Sequence, residues 1–197
     1  MKQPSIIKLK RSVWMIAAAV PVCLMGYAQE ARVEKSVWGF QVDILSGWGY
    51  NEFRLADAVA LRSEVGFTSD FSYFYSGFFG SYVQYRFAPE LTVEPRWYYN
   101  LAGRRAKAKR TIHNSGNYLS LRTSFSPEWL TVSDRYSYPV TRLSIVPMWG
   151  IRRHYGTHFC LEASAGVGYR QVFDNEGDRE QWDKVVYNLH FRVGYTF

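Results

Sequence analysis

Charged side chains recur at alternate positions of the sequence, a spacing that could build an ionic network. A β-strand points successive side chains to opposite faces, so residues two apart share a face. Charges on an enclosed face are costly unless opposite signs pair. The spacing therefore predicts paired acids and arginines that either fill an interior as a plug or line a small gated channel. The predicted network consists of Arg62, Glu64, Arg86, Glu94, Arg96, Arg122, Glu162, Arg170 and Arg192.

A second candidate is a basic patch in one connecting segment, with five positive charges and no acid among them. Such a cluster is either a solvated connection or a surface for anionic partners. Its members are Arg104, Arg105, Lys107, Lys109 and Arg110.

No residue pattern predicts a cofactor, a metal site or a catalytic residue. His154 and His158 flank a turn in arginine-rich surroundings, which disfavours a metal. The acidic segment 173–184 lacks the spacing of a calcium loop. His113 and Ser115 superficially offer the pair that a lipid-A-modifying enzyme would need, but they lie in a connection. We expect no enzyme, and keep the lipid-A enzyme as an alternative.

Apolar residues occupy the positions between these charges, which predicts an all-β chain. In the last segment every second residue from Val185 to Phe197 is apolar. No stretch after Gln29 shows a sustained period of 3.6. The predicted strands lie near 38–50, 59–67, 79–87, 91–101, 117–125, 143–151, 159–171 and 185–197.

Alternating strands fit either a soluble sandwich or barrel, or a transmembrane barrel whose apolar face meets lipid. Three features favour the membrane. The strands match the ~9–11 residues that cross a bilayer when tilted. Charges beside glycine and serine suit a narrow lumen. Aromatic residues recur near strand ends, as interfacial girdles require: Phe87, Trp97, Tyr99, Trp149, Tyr169, Tyr195 and Phe197.

Residues 1–28 are predicted to be a secretory signal peptide, which leaves residues 29–197 as one barrel domain. A basic start precedes an apolar run from Val13 to Met25, and Gly26-Tyr27-Ala28 forms a small-x-small end. The run is short for a helical membrane anchor. A lipoprotein signal at Cys23 is the other alternative, although Pro21 and Val22 stand where small residues are expected.

Removal of the signal peptide changes the charge argument. Four of the 24 basic residues and none of the 17 acids lie within it, so the mature chain carries 20 against 17, or +3. Part of the excess of basic residues therefore belongs to the signal peptide, and the net charge of the mature chain does not predict nucleic-acid binding. Cys160 is left without a partner for an intramolecular disulfide.

A signal peptide followed by alternating strands that end in Tyr195-Thr196-Phe197 resembles small bacterial outer-membrane β-barrels of the OmpA and OmpX type. Segments 51–55, 94–101 and 149–153 are similar to those of barrels from Bacteroidota-type bacteria. The resemblance implies an outer-membrane location, contacts with outer-membrane lipid and lipopolysaccharide, and a monomer. It also implies that the last strand carries the signal read by the barrel-assembly machinery. The matching residues are Tyr187, Leu189, Phe191, Val193, Tyr195 and Phe197.

The mature chain of about 169 residues fits an antiparallel transmembrane barrel of eight strands, with ten as an alternative. Counting back from Phe197 places segments 102–116 and 153–158 at the periplasmic end, and 127–141 and 173–184 outside. The same count places Asp57 and Pro89 in very short outward turns. Pro95 and Pro147 fall inside strand patterns, and each predicts a bulge or a strand end.

The function predicted from these patterns is that of an outer-membrane barrel with a packed ionic lumen and a structural or surface-interaction role. Because an eight-strand barrel has an interior just wide enough for side chains, we favour the plug over a channel. A narrow passive channel for small solutes and a lipid-A-modifying enzyme are the alternatives.

Overall fold

The structure is a computed structural model that describes residues 32–76, 80–133, 140–173 and 184–197. The side chains of 70–85 and of residue 133 lie outside the description, as do the predicted signal peptide and acidic residues 174–183. The strands are β1 Ser36–Val42, β2 Ser46–Ala56, β3 Val59–Ser76, β4 Gly80–Trp97, β5 Asn117–Ser126, β6 Val132–Ser133, β7 Thr141–Tyr155, β8 Phe159–Phe173 and β9 Val185–Thr196.

The eight long strands form one closed antiparallel barrel, as the sequence predicted. Each pairs with its neighbours along the chain, and β1 pairs with β9 to close the sheet. The two-residue strand β6 pairs only with β4, through Arg86 and Phe87. Within the barrel wall, closure gives each long strand a partner on both sides.

The two faces of the barrel differ as the period of two requires. Large apolar side chains point outward and stay exposed, as in Leu189 at 81%, Tyr187 at 76% and Phe67 at 63%. The inward positions of the same strands carry arginine, glutamate, glycine and serine, and most of the charges are buried. The barrel thus has a polar interior and an apolar outer surface, the reverse of a soluble protein core.

The strand count is correct, although three of the predicted strands were wrong. The segment 38–50 is a hairpin of β1 and β2, because residues 43–45 turn the chain and Asp43 accepts hydrogen bonds from Leu45 N and the Ser46 hydroxyl. The segments 79–87 and 91–101 belong instead to the single strand β4. The prediction merged β1 and β2 into one strand and split β4 into two, so the total number of strands is still correct.

The turn at residues 43–45 also changes the face of one tryptophan. Trp48 is an even number of residues from Trp38 and Phe40, so the predicted uninterrupted strand 38–50 would put all three on the apolar outer face. In the structure Trp38 and Phe40 are exposed, whereas Trp48 is only 3% exposed and points into the barrel. A turn restarts the alternation, so parity does not carry across it.

The barrel has a terminal end, where β1 begins and β9 ends, and a far end. Segments 98–116 and 156–158 lie at the terminal end, on the same side as Phe197, where the sequence predicted 102–116 and 153–158. The outward turn predicted at Asp57 is wrong, because that turn joins β2 to β3 at the terminal end. The outward turn at Pro89 is also wrong, because Pro89 pairs with Phe67 inside β4.

Pro95 and Pro147 cause neither a bulge nor a strand end, contrary to the sequence prediction. Pro95 pairs with Leu61 on one side, while pairing with β5 skips residues 94 and 95 without a change of register. Pro147 pairs with Leu121, and pairing with β8 skips residues 146 and 147 in the same way. A proline removes only one N–H, so one side of the ladder loses bonds while the other holds the register.

The terminal end is closed by a cap, which is formed by the segment before β1 and by the connection between β4 and β5. It consists of residues 32–35 and the segment 98–116, which contains the helix α1 Leu101–Ala106 and a 3-10 turn Ile112–Asn114. Its apolar contacts form one buried cluster of Val33, Ala60, Tyr98, Leu101 and Tyr118. No helix in the described part of the chain is both long and apolar enough to cross a bilayer.

Candidate functional site

The lumen of the barrel holds a buried ionic network of five arginines and four glutamates, each at most 2% exposed. Each of these side chains lies within 4 Å of at least one charge of opposite sign in the network. The four acids leave one positive charge over, and Asp43 and Glu90 add contacts from the far end. The nine members are Arg62, Arg96, Arg122, Arg152, Arg192, Glu52, Glu64, Glu94 and Glu162.

Glu162 on β8 is the acid with the most partners in the half of the network nearer the terminal end. Its carboxylate accepts hydrogen bonds from Arg96 at 2.7 Å and from the Tyr118 hydroxyl at 2.9 Å. Arg62 and Gln41 each donate a weaker bond at 3.3 Å. Both carboxylate oxygens are therefore saturated, which a buried acid needs in order to stay charged.

Glu64 on β3 has the same role in the half nearer the far end. Arg122 donates to one oxygen at 2.8 Å and Arg192 to the other at 2.9 Å. The neighbouring Arg62 adds a short contact to Glu64 from the same strand face. Because these arginines come from β3, β5 and β9, the network ties opposite walls of the barrel together.

Aromatic rings inside the lumen stack on the arginines. The Arg62 guanidinium lies 3.9 Å from the centre of the Tyr50 ring, and that of Arg96 lies 4.2 Å from the Tyr118 ring. Gly150 leaves space for Tyr118, since a Cβ at this glycine would overlap the ring. The rings cover arginine faces that carboxylates do not reach, and so exclude water from the network.

The structure brings seven of the nine predicted network residues together and places the other two elsewhere. Arg86 and Arg170 lie at the far end, where they line an open cavity. Glu52 and Arg152 were missed, although they form a 2.7 Å ion pair with both side chains fully buried. The merged strand 38–50 ended before Glu52, and strand 143–151 ended one residue before Arg152.

The alternation itself could have revealed the two missed residues. Trp48, Tyr50 and Glu52 follow at intervals of two, and Arg152 continues the inward series through Gly150. A strand boundary one or two residues later on each segment would have included both side chains.

Asn114 fastens the cap onto the lumen. Its side chain accepts a hydrogen bond from Glu34 N at 2.7 Å and donates one to Glu52 at 2.7 Å. These bonds hold Asn114 in the left-handed region at φ 60°, next to His113 at φ 49°. The bonds connect the segment before β1, the segment before β5 and the ionic network.

Tyr98 packs in the cap beside the network and has its titration shifted by that position. Burial raises the pKa of its phenol above the ordinary value, and the negative charge of Glu52 acts in the same direction. The hydroxyl of Tyr98 therefore stays protonated throughout the range in which the protein works.

The far end of the lumen is an open vestibule, part of a cavity of about 790 Å³ whose lining also includes the outward-facing Tyr187, Leu189 and Phe191. Residues from seven of the eight long strands line it, with charged side chains at Asp43, Arg86, Glu90, Arg142 and Arg170. Hydroxyl and amide groups cover much of the remaining wall, among them Thr68, Ser124, Ser126, Ser144, Ser164 and Asn188. The ionic network forms the floor through Arg122 and Arg192, which stack on Trp48.

The basic patch lies at the terminal end, opposite the vestibule. Lys107 and Lys109 are exposed after α1, and Arg104 donates to the carbonyl of Arg110 at 2.9 Å. Arg110 in turn bonds the carbonyl of Gly156 in the turn between β7 and β8. The patch is therefore fixed across the barrel rim, and two of its five cations are used to hold it there.

His113 and Ser115 make no contact that resembles a nucleophile with its base. His113 lies 3.3 Å from Glu34 and bonds the carbonyl of Thr157. Ser115 instead accepts a hydrogen bond from His154 N and donates one to the carbonyl of Arg152. Both side chains thus hold the cap segment against neighbouring parts of the terminal end.

Among the described residues, no group of three or more metal-ligating side chains converges. His154 bonds the Thr196 hydroxyl, and His158 donates to the carbonyl of the same residue. The residues of the predicted assembly signal, from Tyr187 to Phe197, lie on the outward face of β9. No protein-family model, curated protein or solved structure shows significant similarity to this chain.

Proposed function

We propose that this chain is a bacterial outer-membrane β-barrel with a filled lumen and a structural or surface-interaction role. One observation carries the proposal: the same strands expose large apolar side chains outward and bury a charged network inward. Outside a membrane such a surface would drive aggregation. Within a bilayer it is the arrangement that lipid contact requires.

The distribution of aromatic residues supports the membrane part of the proposal. Around the terminal end Trp97 packs on Tyr99, and the Trp149 indole donates to the Tyr99 hydroxyl at 2.9 Å. Phe87 lies on the same face of β4, ten residues before Trp97. That separation agrees with the ~9–11 residues of a tilted strand that crosses a bilayer.

The density of the network supports a barrel without a pore. Five arginines and four glutamates, with Tyr50 and Tyr118, fill the lumen between the cap and the vestibule. Moving this network aside would leave buried charges without partners, at a cost of several kcal/mol for each ion, on the order of the penalty for a broken buried pair.

A projecting hairpin supports the surface-interaction part. Strand β2 pairs with β3 only as far as Thr68, and β6 pairs with β4 only from Arg86. Among the described residues, 71–76 and 80–85 pair only with each other and extend the sheet beyond the far end. An extended hairpin is a natural platform for contacts with other molecules at the cell surface.

Conductance measurements separate the filled barrel from the alternative of a narrow channel. Residues 29–197 are refolded into detergent and added to planar bilayers. We expect no current steps, with a known porin as a positive control. Reproducible steps from the wild-type barrel would contradict a filled lumen.

Fractionation of cells tests the location. We expect the protein in the outer-membrane fraction, with heat-modifiable migration in gels after detergent extraction. A processed chain that stays monodisperse in buffer without detergent would overturn the membrane proposal. The last strand is proposed as the part read by the assembly machinery, so replacing Phe197 with a charged residue should lower the amount inserted.

A further inference from the structure

The vestibule at the far end has the properties of a binding site for a small ligand. The cavity to which it belongs measures about 790 Å³, within the range of roughly 300–1,000 Å³ typical of small-molecule sites. The buried ionic network lies beneath the lumenal part of this cavity.

The charges around the vestibule favour an anion. Arg86, Arg142 and Arg170 come from three different strands and face two carboxylates. Glu90 lies 3.5 Å from Arg122 and Asp43 lies 3.9 Å from Arg192. Guanidinium groups that converge from several strands on a concave surface are suited to phosphate or carboxylate.

Two buried N–H groups in the vestibule wall lack an acceptor. Trp48 lines the cavity, is only 3% exposed, and its indole Nε1 has no hydrogen-bond partner among the described residues. Arg192 can only donate to His190 Nδ1, which leaves the proton on Nε2 of His190. That Nε2 also lacks a partner in the described part of the chain. Buried donors without acceptors are rare and call for a ligand.

The remaining wall offers hydrogen bonds to a polyhydroxylated molecule. Serine hydroxyls come from β5, β7 and β8, and the Asn188 amide comes from β9. These groups both donate and accept, as sugar hydroxyls do.

From this combination we propose that the far-end vestibule binds a phosphorylated sugar, with its phosphate at the rim arginines and its hydroxyls on the serine and Asn188 wall. The site is independent of whether the barrel conducts, and it is assayed in detergent micelles, so failure of membrane insertion would not affect the result.

Calorimetric titration of the refolded barrel with glucose 6-phosphate tests the proposal, with glucose and inorganic phosphate as separate ligands. We expect glucose 6-phosphate to bind at least tenfold more tightly than either. We also expect the indole N–H signal of Trp48, assigned by its loss in Trp48→Phe, to shift on binding. No binding of glucose 6-phosphate would overturn the site, and equal affinity for inorganic phosphate would overturn the sugar.

Arg170→Gln is the variant of choice, because Arg170 is outside the ion pairs found among the described residues. It should weaken binding at least tenfold and leave the unfolding midpoint unchanged. Lys109→Gln makes the same charge change at the opposite end and should leave the affinity unaltered. An equal loss in both variants would show only general charge attraction and contradict the site.

The source of the phosphorylated sugar is settled by competition. Purified lipopolysaccharide in mixed micelles is added to the complex with glucose 6-phosphate. Displacement at concentrations tenfold below those of free competing sugar phosphate identifies a lipid headgroup as the ligand. Displacement only at equal or higher concentrations identifies a soluble sugar phosphate.

Discussion

At the scale of single residues, burial of charge dominates the energetics of this molecule. An isolated carboxylate in the lumen would lose its hydration without compensation. Glu162 avoids this by accepting hydrogen bonds from arginines and from the Tyr118 hydroxyl. In return, Glu162 provides the negative charge that compensates the buried arginines Arg62 and Arg96.

Replacing Glu162 with glutamine should therefore destabilise the barrel strongly. The change keeps the shape but leaves five arginines against three acids in the network. We expect the free energy of unfolding to fall by about 3–5 kcal/mol, the usual cost of removing one partner of a buried pair. Urea unfolding in micelles, followed by tryptophan fluorescence, measures the difference.

Glu90→Gln is the matched control for this variant. Glu90 is 19% exposed, lies 3.5 Å from Arg122 and accepts a 3.3 Å hydrogen bond from the Thr92 hydroxyl. Its loss should cost less than about 1 kcal/mol, as expected for a partly solvated pair. Equal effects of the two variants would contradict a network that depends on Glu162.

At the scale of elements, the cap packs against the terminal end of the barrel through one shared apolar cluster. Its hydrogen bonds to the lumen pass through Asn114, which accepts from Glu34 N and donates to Glu52. Its backbone at Asn114 is left-handed. At this one residue, the side-chain hydrogen bonds attach the cap, and the left-handed backbone restricts which residues are tolerated.

Asn114→Ala and Asn114→Gly separate these two contributions. Glycine loses only the side-chain bonds, whereas alanine loses them and is also strained at φ 60°. We expect alanine to be the more destabilising by about 1 kcal/mol, in line with the cost of a left-handed residue.

Hydrogen exchange of segment 98–116 provides the measurement. Protection should fall in both variants and fall further in Asn114→Ala, while β8 amides keep wild-type protection. Loss of protection throughout the barrel would show that the cap and the barrel unfold together.

At the scale of the whole molecule, the two ends of the barrel carry different surfaces. The terminal end has the cap, the basic patch, the start of β1 and the end of β9, and the far end has the vestibule. In an outer membrane with the chain ends in the periplasm, the vestibule would face outward and the basic patch would meet periplasmic anions.

Single cysteines at Ala58, Lys107 and Ile44 test this orientation. Cys160 is fully buried and should stay unlabelled. Because residues 58 and 107 lie at the terminal end, a membrane-impermeant maleimide should reach them only in permeabilised cells. Ile44, 97% exposed at the far end, should label in intact cells. Labelling of positions 44 and 58 from the same side would contradict the topology.

Alternation along the sequence was sufficient to predict an all-β chain of eight strands and most of the inward charges. It works because a strand turns each side chain by half a revolution, so the pattern survives wherever a strand is uninterrupted. It failed at residues 43–45 and at Pro89. A turn of three residues has no marked composition, and a proline inside a strand resembles a turn although only one side of its ladder is affected.

The sequence by itself determined which side chains face outward and which face the lumen along most of each uninterrupted strand, since this needs only local periodicity. Only the tertiary structure decided which arginine meets which glutamate, that Glu52 and Arg152 join the network, and that Arg86 and Arg170 line a cavity instead. These depend on how strands from opposite walls are staggered when the sheet closes, and stagger is fixed by pairing between residues far apart in the chain.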